Sequence, residues 1–301
     1  MKLIRITIML VLGLNAMLYA KGAGSTALAT LTQPVTAKSA ALAEAYTAVS
    51  GDIASLHYNP AGLSELRGLN VTAMYQQGLA EDDFASLLLG QEFGFGTLAL
   101  GVVYYDTGKI DMFDLQGTKI SKTGQQDIIA SLGTGIPLLE HRLGLGIAVK
   151  GISSEIFGET GSTFAVDCGV QYRNLVENLD IGLSALNLGS GIEYVAEKED
   201  LPSRIQPGMT YRLTFDEHHL TASLDAAHLI NEEDTLALIG LEYVYDQLFA
   251  LRSGFRSGDS DDESNVRLGV GFMWKNYAVD YAIGITDNLD NPHFISVNMK
   301  F

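Results

Sequence analysis

"VRLGVGFMW", residues 266–274, sets the fold. Val266, Leu268, Val270, Phe272 and Trp274 are large and apolar, and Arg267, Gly269, Gly271 and the preceding Asn265 alternate with them. Successive side chains of a strand point to opposite faces, so a period of two gives one apolar face and one small or polar face. The same alternation recurs along the chain. Leu69, Val71, Ala73 and Tyr75 show it first, then Leu98, Leu100, Val102 and Tyr104. Leu143 to Val149 and Phe164 to Tyr172 repeat it. In all, about fourteen such segments of roughly ten residues are expected, centred near 72, 87, 100, 130, 147, 167, 183, 208, 223, 240, 252, 270, 280 and 296. Ten residues suit a tilted strand that crosses a bilayer, whereas strands of soluble proteins run nearer five or six.

The connections alternate in length. Short ones are expected near Gly94, 137–141, 174–178, 215–218, 246–247 and 275–276, and long ones near 78–82, 106–125, 153–161, 190–203, 229–234, 258–264 and 286–291. An up-and-down membrane barrel with both termini on one side sorts its loops this way. Tyr172, Tyr211, Tyr243, Tyr245, Trp274, Tyr277 and Phe301 fall beside short turns, as an interfacial aromatic girdle would. The terminal strand, "HFISVNMKF", carries Ile295, Val297, Met299 and Phe301 on its apolar face and ends in Phe301. Bacterial outer-membrane barrels commonly close on such a strand, and Phe301 is the expected barrel-assembly signal, read by the assembly machinery. The fold class is therefore all-β: a transmembrane antiparallel barrel of about 14 strands.

Composition agrees. Of 301 residues, 47% are apolar and 18% charged, Gly is abundant at 32, and the formal net charge is −17. An acidic chain repels phosphate, so no nucleic-acid partner is expected. One cysteine, Cys168, excludes an intrachain disulfide framework. Lys2 and Arg5 precede an apolar run from Ile6 to Leu14, and Ala20 offers a small residue for cleavage. Residues 1–20 read as a secretory signal, which directs the chain to the outer membrane. Residues 21–67 then form an N-terminal segment and 68–301 the barrel. Within the segment, "KSAALAEAYTAV" (38–49) is expected to be helical, ending at Ser50-Gly51-Asp52. In "HYNPAGLSEL" (57–66), Asn59 can cap a helical turn that Pro60 starts, and the turn should end by Arg67-Gly68.

"AEAYTAVSGDIASLHYNPAGLSEL", together with "IGLEYVYDQLFALRSGFRSG" (239–258) and "VRLGVGFMWKNYAVDYAI" (266–283), resembles the PorV/PorQ proteins and the wider FadL-like outer-membrane barrels. Asn59, Pro60, Ala61, Gly62 and Leu63 fill the family's motif, while Ala43-Glu44-Ala45 stands where such proteins carry a Gly-rich patch. The resemblance implies a fourteen-stranded barrel with the N-terminal segment folded inside it as a hatch. It implies an accessory role in protein secretion or surface display of the type IX kind, with secreted cargo or secretion components as partners. On the FadL-like side it implies instead a transporter of small hydrophobic molecules, with a hydrophobic ligand.

If the apolar faces meet lipid, the opposite faces line a lumen. They carry Lys150, Asp167, Asp225, Glu242, Arg252, Arg256, Arg267 and Asp280. Mixed signs on adjacent strands suggest pairing across the ladder, with Glu242 and Arg252 as neighbours about the turn at Asp246-Gln247. These charges are expected to tie hatch to wall rather than to bind a solute headgroup. "GDSDDES" (258–264) lacks the spacing of a calcium loop, and His218-His219 lacks a third ligand, so neither a metal nor a cofactor is expected. "GLGLGIAVKG" lacks the Lys-Ser/Thr ending of a phosphate loop, and "GLSAL" lacks the final Gly of a nucleophile elbow. No catalytic constellation is present, and the chain reads as a non-enzyme.

Overall fold

A computed structural model describes residues 26–77, 82–113, 119–258, 265–286 and 291–301. The strands in chain order are β1 (Leu69–Gln77), β2 (Asp83–Phe93), β3 (Gly96–Asp106), β4 (Lys109–Phe113), β5 (Lys119–Thr123), β6 (Gln125–Leu138), β7 (Leu143–Ile156), β8 (Glu159–Val176) and β9 (Leu179–Gly189). They continue with β10 (Ile192–Glu193), β11 (Lys198–Glu199), β12 (Arg204–Phe215), β13 (His218–Leu229), β14 (Asp234–Tyr245), β15 (Phe249–Arg256), β16 (Val266–Trp274), β17 (Tyr277–Ile285) and β18 (His293–Lys300). Fourteen of them close into one antiparallel barrel in which sequence neighbours are spatial neighbours. β1 and β18 complete the ring, with Tyr75 opposite Ile295 and Val71 opposite Met299. Each expected strand centre falls within a barrel strand.

The barrel is turned inside out relative to a soluble core. Leu98, Leu100, Val102 and Tyr104 of β3 are exposed, as are Leu268, Val270, Phe272 and Trp274 of β16. Their inward neighbours, Ala99, Val103 and Arg267, are buried. A continuous exposed apolar surface of this extent has lipid as its partner. No helix among the described residues is long and apolar enough to cross a membrane.

Aromatic residues gather at both ends of this belt. At the short-turn end Tyr211, Tyr245, Trp274, Tyr277 and Phe301 are exposed, and Phe93 stacks on Phe95 with ring centroids 5.7 Å apart. Tyr172 and Tyr243 are only half-exposed there. The opposite end has a second set that the turn-based reading passed over. Its tyrosine hydroxyls are anchored: Tyr75 donates to Asp83, Tyr104 to Asp106 at 2.8 Å, and Tyr281 pairs with His293 at 2.7 Å.

Three expectations about connections are corrected. Residues 153–161 are not a long loop: β7 and β8 run on to a turn at Phe157-Gly158, because their ladder continues to Ile156 opposite Glu159. The long stretches at 106–125 and 190–203 hold the small sheets β4–β5 and β10–β11. Residues 1–20, the proposed cleavage point at Ala20 and most of "GDSDDES" lie outside the described residues.

Candidate functional site: the hatch in the lumen

Residues 26–66 fill the barrel. α1 (Ala37–Ala41) begins at Thr36, whose hydroxyl accepts from Ser39 N–H at 3.0 Å while Ser39 Oγ accepts from Thr36 N–H at 3.3 Å. This reciprocal capping starts the helix firmly. The helix expected over 38–49 stops at Ala41, because Ala43 and Glu44 adopt left-handed backbone with φ 49° and 64°. Tertiary contacts override the alanine propensity here. Glu44 is turned to the wall, where its Oε1 takes Arg256 and Arg267 at 3.2 Å each. Two residues later the Tyr46 and Thr47 N–H groups both donate to Asp225, at 2.9 and 2.8 Å.

α2 (Ser55–Tyr58) leads into a 3-10 turn over Pro60–Glu65. Asn59 caps that turn by accepting from Ala61 N–H at 3.1 Å, and its amide donates to the Thr47 carbonyl at 2.7 Å. Gln171 of β8 donates to the carbonyls of Thr47 and Val49 at 2.8 and 2.9 Å. The Asn-Pro-Ala turn can approach the wall because the wall is bare there. A Cβ at Gly146 would collide with the Pro60 and Ala61 backbone, one at Gly169 with the Asn59 amide, and one at Gly135 with Ser64. Gly254 and Gly269 leave the same room for α1. The hatch side chains of Leu31, Ile53, Leu56 and Leu63 are fully buried, a burial worth about 1.5–3 kcal/mol each.

The lumen charges singled out form two groups that meet the hatch and one pair within the wall. Arg252 bridges Glu242 at 2.6 Å and Asp280 at 2.7 Å, and Glu242 stands directly opposite Arg252 in the ladder. Lys38 of the hatch reaches toward this trio, 3.9 Å from Glu242 and 3.2 Å from Asp52. Burial pushes the Asp52 carboxyl up, but Lys38 and hydrogen bonds from Ala54 N–H and Tyr46 O–H outweigh it and hold it at about 2. The other group joins Arg267 and Arg256 to Glu44 and Asp225 to the hatch backbone. Lys150 and Asp167 pair with each other at 2.7 Å.

At the short-turn end Glu65 accepts from His141 at 2.8 Å and Arg173 at 3.2 Å. Apolar side chains of hatch and wall also meet in the lumen. Leu28, Leu31 and Val35 of the hatch join Phe84, Ile129, Ile152, Ile192, Leu201 and Phe294 in one buried cluster. Thr30 donates to Asp127 there, and Ala27 N–H donates to the Asp200 carbonyl at 2.9 Å. Gln171, Arg173 and Arg204 were not legible in the sequence, because single polar residues in alternating strands carry no signature of what they face, and Glu44 sits in a turn that local sequence does not announce. Phe301 is exposed, and its N–H and carbonyl both pair with Leu69, at 2.8 and 2.9 Å. Among the described residues no group of metal-ligating side chains converges.

No family model matches this sequence, and no curated protein does. Solved structures do. The Ralstonia pickettii toluene transporter TbuX superposes with a TM-score of 0.62 at 11% identity, over 88% of this chain and 98% of that one. The Pseudomonas putida toluene transporter TodX gives 0.59 at 12% identity, over 87% and 96%. A Pseudomonas aeruginosa FadL homologue gives 0.56 at 9% identity, over 94% and 100%. At these identities the likeness is one of architecture: the chain has the fold of the FadL-like outer-membrane barrels.

Proposed function

We propose that the protein passes small hydrophobic molecules across the bacterial outer membrane, with the N-terminal hatch as its gate. The observation that carries this reading is the lumen itself. The N-terminal segment plugs it, the plug rests on a glycine-lined wall, and Leu28, Leu31 and Val35 of the plug pack with Phe84, Ile129, Ile152 and Phe294 of the wall in a buried apolar cluster. An apolar cluster between plug and wall suits apolar cargo, since polar solutes would lose their hydration there. The toluene transporters that share the fold support the same class of cargo. The secretion role implied by the PorV/PorQ resemblance draws no support from these relatives. No catalytic role is assigned.

The test is uptake of radiolabelled toluene by cells that carry the protein in an outer membrane otherwise poorly permeable to it. Uptake well above that of cells with an unrelated, plugged barrel is expected. Equal uptake, with the protein folded and abundant, would remove the transport reading.

A further inference from the structure

We infer that the cargo of this barrel is uncharged, and that its outer mouth turns away hydrophobic molecules that bear a carboxylate or another negative charge. The inference rests on the transport reading and names the class of cargo within it. The formal net charge of −17 is not spread evenly over the molecule. Carboxylates crowd at the long-loop end, which faces outward in barrels of this kind. Between β9 and β12, exposed Glu193, Glu197, Glu199 and Asp200 have Lys198 as the one cation of their stretch. The β13–β14 turn holds Glu232, Glu233 and Asp234 and no cation. Asp82 leads into β2, where Asp83 stands directly opposite Asp106 of β3. Like charges in that position repel, so this end keeps its acidity at a cost.

The β4–β5 hairpin brings Lys109, Lys119 and Lys122 to the same end, but Lys119 is paired with Asp111 at 2.7 Å, and the balance stays negative. The short-turn end is mixed instead. Arg67 pairs with Glu92 at 2.6 Å, Arg173 with Glu65 at 3.2 Å, and Arg212 with Asp180. The acidity therefore belongs to the face that a molecule meets on its way in.

The lumen offers an anion no compensation. Its cations already face carboxylates: Arg252 meets Glu242 and Asp280, Arg256 and Arg267 share Glu44, Lys150 holds Asp167, and Lys38 holds Asp52. Buried Arg204 has Glu44 and Asp167 acting on it. An entering carboxylate would have to displace one of these acids. A mouth of one sign changes the encounter rate of a charged molecule by about 10–10³-fold, and salt screens the effect over about 8 Å at physiological strength. A cation is drawn to the mouth but loses its hydration further in, whereas an uncharged hydrophobe meets neither barrier. Lost hydration would also disfavour an anion, but that cost does not depend on salt, so ionic strength separates the two effects.

The probes are toluene and benzoate, which differ by one carboxylate. Radiolabelled samples are given at low ionic strength to porin-depleted cells that carry the full chain. Toluene is expected to enter well above cells with an unrelated, plugged barrel, and benzoate at the level of those cells. Benzoate entering as fast as toluene would overturn the inference. Toluene at the control level would remove the transport reading instead. A second arm reads the mouth without transport. In purified protein with Cys168→Ala, a fluorophore on Val195→Cys at the long-loop end is compared with one on Phe95→Cys at the short-turn end; the parent residues are 76% and 56% exposed. Quenching by iodide, relative to uncharged acrylamide, is expected to be several-fold weaker at 195 than at 95. High salt is expected to close the gap, and so is the joint change Glu193→Gln, Glu197→Gln and Glu199→Gln. Equal ratios at the two positions in low salt would overturn the inference, whatever benzoate does.

Discussion

Gly146 and Gly169 show how single residues decide the site. Neither needs an unusual backbone angle. Both are glycine because the hatch backbone and the Asn59 amide occupy the space of a Cβ. Gly146→Val is expected to unseat the Asn-Pro-Ala turn while the barrel stays closed, at an overpacking cost of about 1–3 kcal/mol. The check is limited proteolysis: faster cleavage within 26–66 with an unchanged heat-modifiable band. Slow cleavage as in the wild type would mean that the wall is not the seat. Asp225 makes a second point. Asp225→Ala leaves the buried Tyr46 and Thr47 N–H groups without their acceptor, at about 1–3 kcal/mol for each unsatisfied group. The same proteolysis, or a lower thermal midpoint, reads it out.

Asp52 gives the pH dependence. Its folded value of about 2 lies below the ordinary 3.8, so its stabilising contribution is full above 3.8 and is lost as pH falls through 2. Hatch anchoring is expected to weaken across that window, and Asp52→Asn is expected to weaken it at neutral pH and flatten the response. An acid profile identical in Asp52→Asn and the wild type would contradict the assignment.

At the scale of elements, legibility in the sequence follows periodicity. All fourteen barrel strands were readable because a lipid face and a lumen face impose a strict period of two. β4–β5 and β10–β11 were not, since they stand apart from the barrel ladder and their few residues offer no sustained alternation. The helix over 38–49 failed for a different reason. Alanine propensity reaches past Ala41, but the Arg256–Glu44–Arg267 contact imposes left-handed turns that local sequence does not announce. What fixes α1 is its start. Thr36→Ala removes the capping hydroxyl and is expected to cost about 1 kcal/mol, seen as a lower thermal midpoint. Deletion of Phe301 removes a residue whose backbone pairs twice with Leu69 where β1 meets β18, and slower or incomplete conversion to the heat-modifiable form is expected. Unchanged conversion would detach Phe301 from assembly.

The whole molecule is a ring with oil outside and its own N-terminal chain within. The ring was legible in composition and alternation. The pairing of hatch with wall was not, because contacts such as Thr30 with Asp127 join residues nearly a hundred positions apart. Leu132 is 55% exposed on β6 and faces lipid. Leu132→Arg is expected to cost about 2–4 kcal/mol in a bilayer if it lies near the midplane. Chemical denaturation in lipid vesicles measures that cost, and a neutral result would move Leu132 out of the apolar belt.

Thr30→Cys with Asp127→Cys, in a Cys168→Ala background, probes the interior directly. Mild oxidation of the folded, detergent-purified protein is expected to join the two thiols in high yield, since the parent side chains touch inside the barrel. A folded barrel that keeps both thiols free would place the N-terminal segment outside the lumen, and the gate with it.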